Sequence, residues 1–349
     1  MKLGTISRIK RIISIACLFF VISLLYGCGA KDVNKEKSTS FFAMDTYMSI
    51  RIYGGNDELL KEIEEQVRSI EDQVSVTGID SAVYRLGQTG KAYITQDTYE
   101  LIKKTLAVCE ETDGALDISV YPIVREWGFT VGHYHVPNDS VISELLQKVD
   151  FRDIDLSANM ISVPKGMEID LGSVTKGYTA DRLSEMIRQA GVTSAVIDLG
   201  GNIQTVGNRP DGSPWRIAIK APDGDALLGI LTVTDEAVVT SGGYERFFED
   251  DEGNIWWHIM DPSTGYPAQN GIVSATVVGK AGFRCDALST ALFVMGTEKA
   301  IDFWRSKGDF EMLLVTDSGE FLITPELAKR FTPDVSQNYA LRVIGYAEN

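Results

Sequence analysis

The chain has 349 residues and sets 49 acids against 33 lysines and arginines, a net charge of −16. Lys2, Arg8, Lys10 and Arg11 stand at the N-terminus, and the rest of the chain sets 29 bases against 49 acids. Such a surface excludes nucleic acid as a partner, and an anionic substrate would need local cationic help, such as a metal ion. Of four cysteines, Cys17, Cys28, Cys109 and Cys285, none forms a C-x-x-C or a Cys/His cluster, and they are too few for a disulfide framework.

The basic start is followed by "IISIACLFFVISLLY", an apolar run of signal-peptide length and short for a membrane span. The expectation is a signal peptide over residues 1–27. "LLYGC" resembles a bacterial lipobox, which implies lipidation of Cys28 and a lipid anchor on the extracytoplasmic face of the cell membrane. An uncleaved signal anchor is the alternative, and it puts the fold on the same side. Residues 28–40 are polar and read as a flexible tether. Residues 41–349 are long enough for one large domain or two intimate ones.

"MDTYMSIRIYG" alternates as a strand does, and "DELLKEIEEQVRSIEDQVS" carries apolar residues at helical spacing. "TQDTYELIKKTLAVCEETDG" predicts a second helix with Thr95 or Asp97 as cap and Gly114 as stop. "SELLQKV" predicts a short helix, and "TKGYTADRLSEMIRQAG" one that Gly191 closes. "SAVIDLGGNIQTVG" is a strand, a glycine turn and a strand. "WRIAIKAP", "LLGILTVTDEAVVTSG" and "YERFFEDDEGNIWWHIMDP" are β-rich, the last a hairpin over Asp251 to Asn254. "GIVSATVVG" is a strand that feeds the helix "FRCDALSTALFVMG". A helix, a hairpin and a strand finish the chain. No regular β-α-β beat appears, so the class is α+β, with a largely antiparallel sheet and packed helices.

"FRCDALSTALFVMG" turns Asp286, Ser289 and Thr290 to one helix face, since they lie three and four residues apart. Two roles suit the carboxylate: an N-cap for its own helix, or a ligand, with the hydroxyls, for a hard cation such as Mg²⁺. "EIDLGSVTKGYTAD" is a strand end, a small-residue turn and a helix start, where backbone N–H groups and Lys176 can hold a phosphate; a tight strand-to-helix connection explains it equally. "DGALDIS" places Asp117 after a helix, and "IDLGGN" puts two glycines after a strand. His133 and His135 read as structural or exposed. His258, where a hairpin strand meets a Pro/Gly turn, is the candidate general base. No G-x-S-x-G elbow supports a serine hydrolase, and "TSGG" (Thr240 to Gly243) reads as a loop.

In order along the chain, "MDT", "GALDIS", "DLGSVTKGYTAD", "IDLGGN", "VVTSGGYERFF", "HIMDPSTGYP" and "CDALSTAL" resemble the ApbE family of FAD:protein FMN transferases. The resemblance implies an ApbE-like catalytic domain over 41–349 that binds FAD and Mg²⁺. It would move FMN onto a Thr or Ser hydroxyl of a target protein and release AMP. The target would be an exported part of an electron-transfer complex or an extracellular flavoprotein. Asp286 and Thr290 would bind the metal, with Ser289 adjoining and the backbone oxygen of Ser173 completing the set. Met44, Ala115, Leu116, Asp117, Asp170 and Lys176 would contact FAD, and His258 would lie near the flavin phosphate as the base. Three positions depart from the family pattern: Asp45 replaces a usual Gly, Thr77 a common Tyr on the FAD-binding side, and Gly87 a frequent Asn. The alternatives are a Mg²⁺-dependent FAD pyrophosphatase and a non-catalytic FAD-binding lipoprotein.

Overall fold

The computed structural model describes residues 35–222, 224, 226–334, 336 and 340–346. The expected signal peptide and the expected lipidation site, Cys28, lie outside the described residues. Seventeen strands among the described residues form four sheets. The largest has nine: β1 (Glu36–Ala43), β2 (Thr46–Tyr53), β6 (Ser194–Leu199), β7 (Ile203–Val206), β10 (Ala237–Gly242), β13 (Ile272–Gly279), β14 (Glu311–Thr316), β15 (Glu320–Ile323) and β17 (Ala340–Val343), hydrogen-bonded in that order. Every pairing in it is antiparallel except β15 with β17, as the class expectation requires. β8 (Trp215–Lys220), β9 (Leu227–Val233) and β16 (Phe331–Pro333) form a second sheet; β3 (Lys91–Tyr93), β4 (Asp155–Ser157) and β5 (Met160–Ser162) form a third. β11 (Phe247–Glu249) and β12 (Ile255–Trp257) make a two-stranded ribbon over the turn expected at 251–254.

The middle of the sheet is buried on both faces, and strand alternation sorts its side chains. Val239, Ala275 and Val277 pack with Leu288, Leu292 and Phe293 of one helix. Their neighbours Val238 and Val278 turn the other way, against Trp215, Ile217 and Leu231 of the second sheet. The helix Asp57–Val74 buries the predicted stripe, Leu59, Leu60, Ile63, Val67, Ile70 and Val74, with Asn56 capping Leu59 N–H. Thr95, one of the two expected caps, accepts from Thr98 N–H.

The strand β1 corrects the expected tether boundary. Residues 36–40 are polar but pair in register with β2, from Glu36 opposite Tyr53 to Ala43 opposite Thr46. An edge strand exposes side chains on alternate positions, so a polar sequence suits it and hides it from a search for apolar runs. The hairpin closes on Met44 and Asp45, whose φ values of 47° and 62° are those of a two-residue type I′ turn. That requirement would account for the glycine that the resemblance implies at position 45, and Asp is among the residues that tolerate it. "TSGG" is also corrected: Thr240, Ser241 and Gly242 are the end of β10, not a loop.

Two helices position the site. The lysine helix, Gly172–Gln189, begins three residues before the expected Thr175, and the aspartate helix spans Gly282–Met295. They clasp each other. Asp181 of the lysine helix accepts from Gly282 N–H (2.6 Å) and Phe283 N–H (3.0 Å), so it caps the aspartate helix across the interface. Asp286 returns the contact by accepting from Gly177 N–H at 2.7 Å. Asp286 is therefore not the N-cap of its own helix, which starts after Ala281. Gly177 is what allows the approach: a β-carbon there would lie 2.3 Å from Gly282 O and 2.6 Å from Asp286 Cβ.

Candidate active site

Asp286 is 5 % exposed. Burial pushes its carboxyl up to about 6, against the pull of the Lys176 charge and the bond from Gly177. At neutral pH the group is mostly ionised, and burial makes that charge costly. Three residues further along the helix, Ser289 donates to the Asp286 carbonyl (2.8 Å) and meets the Ser241 hydroxyl at 2.8 Å. Ser241 also approaches Thr290 Oγ1 at 3.3 Å. Ser289 is wholly buried and tied into this chain of hydroxyls, while Thr290 is half-buried and reaches outward. Ser173 stands in the first turn of the lysine helix, beside the clasp. Carboxylate, hydroxyl and carbonyl oxygens suit a hard cation of the Mg²⁺ kind. Among the described residues no group of three or more His, Cys, Asp or Glu is placed to hold a metal.

Lys176 is half-buried and makes no salt bridge among the described residues. Its charge is felt by Asp286, by Glu245 and by His258. An unpaired ammonium near a helix N-terminus is a ready seat for a phosphate.

His258 follows β12, and its Nδ1 lies 3.2 Å from the Arg246 carbonyl. A carbonyl can only accept, so Nδ1 carries the proton and Nε2 keeps its lone pair. Burial first, then the Arg246 and Lys176 charges, push the imidazole down to about 4. It is a neutral base at pH 7. An anion that offset those two charges would raise it toward the working pH, where general bases are most effective.

Arg246 joins the remaining pieces. Its guanidinium bonds Asp45 at 3.1 Å, which ties the Met44–Asp45 turn to the rim, and its charge acts on Asp170. Asp170, whose carboxyl is raised by burial, accepts from Gly172 N–H at 2.9 Å and so shapes the turn into the lysine helix. Asp170 N–H donates to Ile118 O at 2.8 Å, which brings Ala115, Leu116 and Asp117 alongside. Asp117 spends both carboxylate oxygens on the chain, accepting from Ser119 N–H and Oγ–H and from Phe151 N–H. The geometry leaves backbone groups of 115–117, rather than this carboxylate, to meet a ligand. Thr77 stands apart from the cation cluster. It lines a cavity of about 270 Å³ with Val76, Tyr84, Tyr121, Arg125, Glu168 and Ile169, next in sequence to Asp170. Gly87 abuts the same wall, since a β-carbon there would lie 3.1 Å from Glu168 Cγ. His133 and His135 are both exposed, and His135 lies 3.6 Å from Glu126.

Sequence reasoning missed Ser241, Arg246 and Asp181. The first two lie within "VVTSGGYERFF", one of the ordered motifs, so their signal was present but unassigned. Asp181 ends another of them, "DLGSVTKGYTAD", but its role exists only across the helix interface.

A buried acid with hydroxyls around it, an unpaired lysine and a neutral histidine on one rim define a site for phosphate-ester chemistry on an α+β scaffold. A model of the ApbE family matches residues 44–314. The FAD:protein FMN transferase of Klebsiella pneumoniae is 32% identical over 308 residues, 86% of this chain and 95% of its own length. That of Treponema pallidum is 30% identical over 333 residues, covering 86% and 92%. Among solved structures, the ApbE protein of Thermotoga maritima superposes with a TM-score of 0.80 at 30% identity over 85% of this chain and all of its own. The apo form of Pseudomonas stutzeri flavinyl transferase ApbE gives 0.78 at 27%, covering 86% and 98%. This chain belongs to the ApbE family.

Proposed function

We propose that this protein is an FAD:protein FMN transferase that moves FMN from FAD to a threonine or serine hydroxyl of an exported or membrane protein, with Mg²⁺ bound, and releases AMP. The enzymatic activity follows from family membership, since the curated relatives are FAD:protein FMN transferases. The observation that carries the finer reading is the charge geometry around Lys176, which faces both a neutral histidine and a buried carboxylate.

The pyrophosphate of FAD would seat on Lys176 and the N-terminal turn of the lysine helix. Asp286, Thr290 and the Ser173 carbonyl would hold Mg²⁺, which supplies charge neutralisation on the bridging and leaving phosphate oxygens. The flavin half would be gripped along Met44, 115–117 and Asp170. Nε2 of His258 would take the proton of the acceptor hydroxyl as its oxygen attacks the FMN phosphorus. The new P–O bond forms, the bond to the AMP oxygen breaks, and AMP leaves with the electron pair. The negative charge of the bound diphosphate offsets Arg246 and Lys176, which makes the imidazole basic enough to keep that proton in transit.

The N-terminal pattern supports a lipid anchor at Cys28 and a site on the extracytoplasmic face, where exported acceptors such as electron-transfer subunits are met. The test is to incubate the exported portion with FAD, Mg²⁺ and an acceptor peptide bearing Thr or Ser. AMP with a fluorescent peptide heavier by FMN is the expected result. AMP with free FMN alone would make the protein a pyrophosphatase, and no AMP would make it a carrier.

A further inference from the structure

One polar side chain at this site has no role in the chemistry above. Asn202 closes the glycine turn between β6 and β7. Gly200 and Gly201 take φ values of 72° and 87°, Asp198 accepts from Gly201 N–H at 2.9 Å, and Leu199 N–H donates to the Asn202 carbonyl at 2.9 Å. The backbone is thereby set, and the side chain points inward, 2 % exposed. Neither Nδ2 nor Oδ1 has a hydrogen-bond partner among the described residues. Two residues on, and therefore on the same face of β7, Gln204 also leaves Oε1 without a partner.

These orphaned atoms gather at one place. A β-carbon on Gly282 would stand 3.1 Å from Gln204 Oε1 and 3.2 Å from Asp181 Oδ1, which puts Gln204 against the first turn of the aspartate helix. The Asn202 amide lies close enough to the Asp286 carboxylate to favour its ionised form, at a geometry that falls short of a full hydrogen bond. A buried amide left unpaired costs about 1–3 kcal/mol per group, and an apolar side chain of similar shape would avoid that cost. A polar residue held in such a place calls for a partner that comes into full reach only when the site changes.

We propose that Asn202 is a positioning residue for Asp286: its Nδ2 completes a hydrogen bond to the carboxylate when that carboxylate turns to a bound divalent cation. Asp286 has Oδ2 already committed to Gly177 N–H. A second donor would fix the rotation of the carboxyl plane, so the remaining lone pairs aim at the cation. Groups that orient a ligand in this way are worth roughly 10–100-fold in metal affinity. The inference rests on the metal reading above.

The test compares wild type with Asn202→Leu and Asn202→Ser by thermal unfolding in EDTA and across a titration of MgCl₂ without FAD. Leucine removes both orphaned polar atoms at similar volume. The proposal expects Asn202→Leu to unfold in EDTA at or above the wild-type temperature. Its Mg²⁺ midpoint should move up 10–100-fold, with Asn202→Ser between the two. Two results overturn it: Asn202→Leu less stable in EDTA with an unchanged Mg²⁺ midpoint, as a structural amide or a bridging water would give, or Asn202→Ser with the wild-type midpoint where the leucine variant fails to fold. A wild type with no response to Mg²⁺ would sink the metal reading and this proposal with it. A wild type and variants that respond alike would sink this proposal alone.

Discussion

Replacing Asp286 by asparagine should stabilise the metal-free protein while abolishing its response to Mg²⁺. Burial raises the Asp286 carboxyl from 3.8 to about 6. A carboxyl with a raised folded pKa binds its proton more tightly when folded, so stability declines as pH rises from about 4 to about 6. Above that window the ionised group costs about 3 kcal/mol, from a shift of roughly two units at about 1.4 kcal/mol each. The side chain is almost wholly buried, so solvent screening does not erode this figure. In Asp286→Asn the amide oxygen still accepts from Gly177 N–H, and the buried charge is gone. Thermal unfolding in EDTA should then show the variant roughly 5 °C above wild type at pH 8 and level with it near pH 4. Wild type should gain about 2.7 kcal/mol when Mg²⁺ is at 100 times its dissociation constant, and the variant nothing. A variant less stable than wild type at pH 8 would refute the strained-carboxylate reasoning. A variant that kept Mg²⁺-dependent stabilisation would refute the assignment of the ligand.

Three further outcomes follow from the site. His258→Ala should bind FAD as wild type does, read by flavin fluorescence, while transfer falls roughly 10²–10⁴-fold for want of a base; wild-type turnover would remove His258 from the mechanism. Lys176→Met should weaken FAD binding roughly 10–100-fold, the worth of a charged hydrogen bond at a phosphate, and an unchanged dissociation constant would place the phosphate elsewhere. Gly177→Ala should lower stability by about 1–3 kcal/mol, because its methyl meets the Gly282 carbonyl and has no flexible neighbour to displace. Denaturant unfolding checks this, and a neutral result would mean the two helices part at no cost.

Most helices and most strands were legible, since their apolar periods are strong: Leu59 to Val74 repeats at helical spacing, and Ser194 to Leu199 is a plain buried run. β1 was not legible, because an edge strand pairs through its backbone and tolerates the polar side chains of Glu36 to Ser40. The site was legible as chemistry and not as contacts. Asp286, Ser289 and Thr290 share a face by helix geometry alone, yet a capping role suited Asp286 equally well. The capping acid is in fact Asp181, about a hundred residues earlier in the chain. Asp117 shows the reverse case, a carboxylate of the right type at the right motif whose oxygens serve the local turn.

By itself, then, the sequence determined the α+β class, the elements, the family order of motifs and the oxygen-rich face of the helix that bears Asp286, all of which depend on residues near one another along the chain. Only the tertiary structure decided which groups act on one another. The pKa of His258 depends on Arg246 and Lys176, and the pKa of Asp286 on burial between two helices, one bearing Gly177 and the other Gly282. Those effects are set by distance and desolvation. Neither quantity can be read from spacing along a chain whose contacting residues are separated by as many as 201 positions.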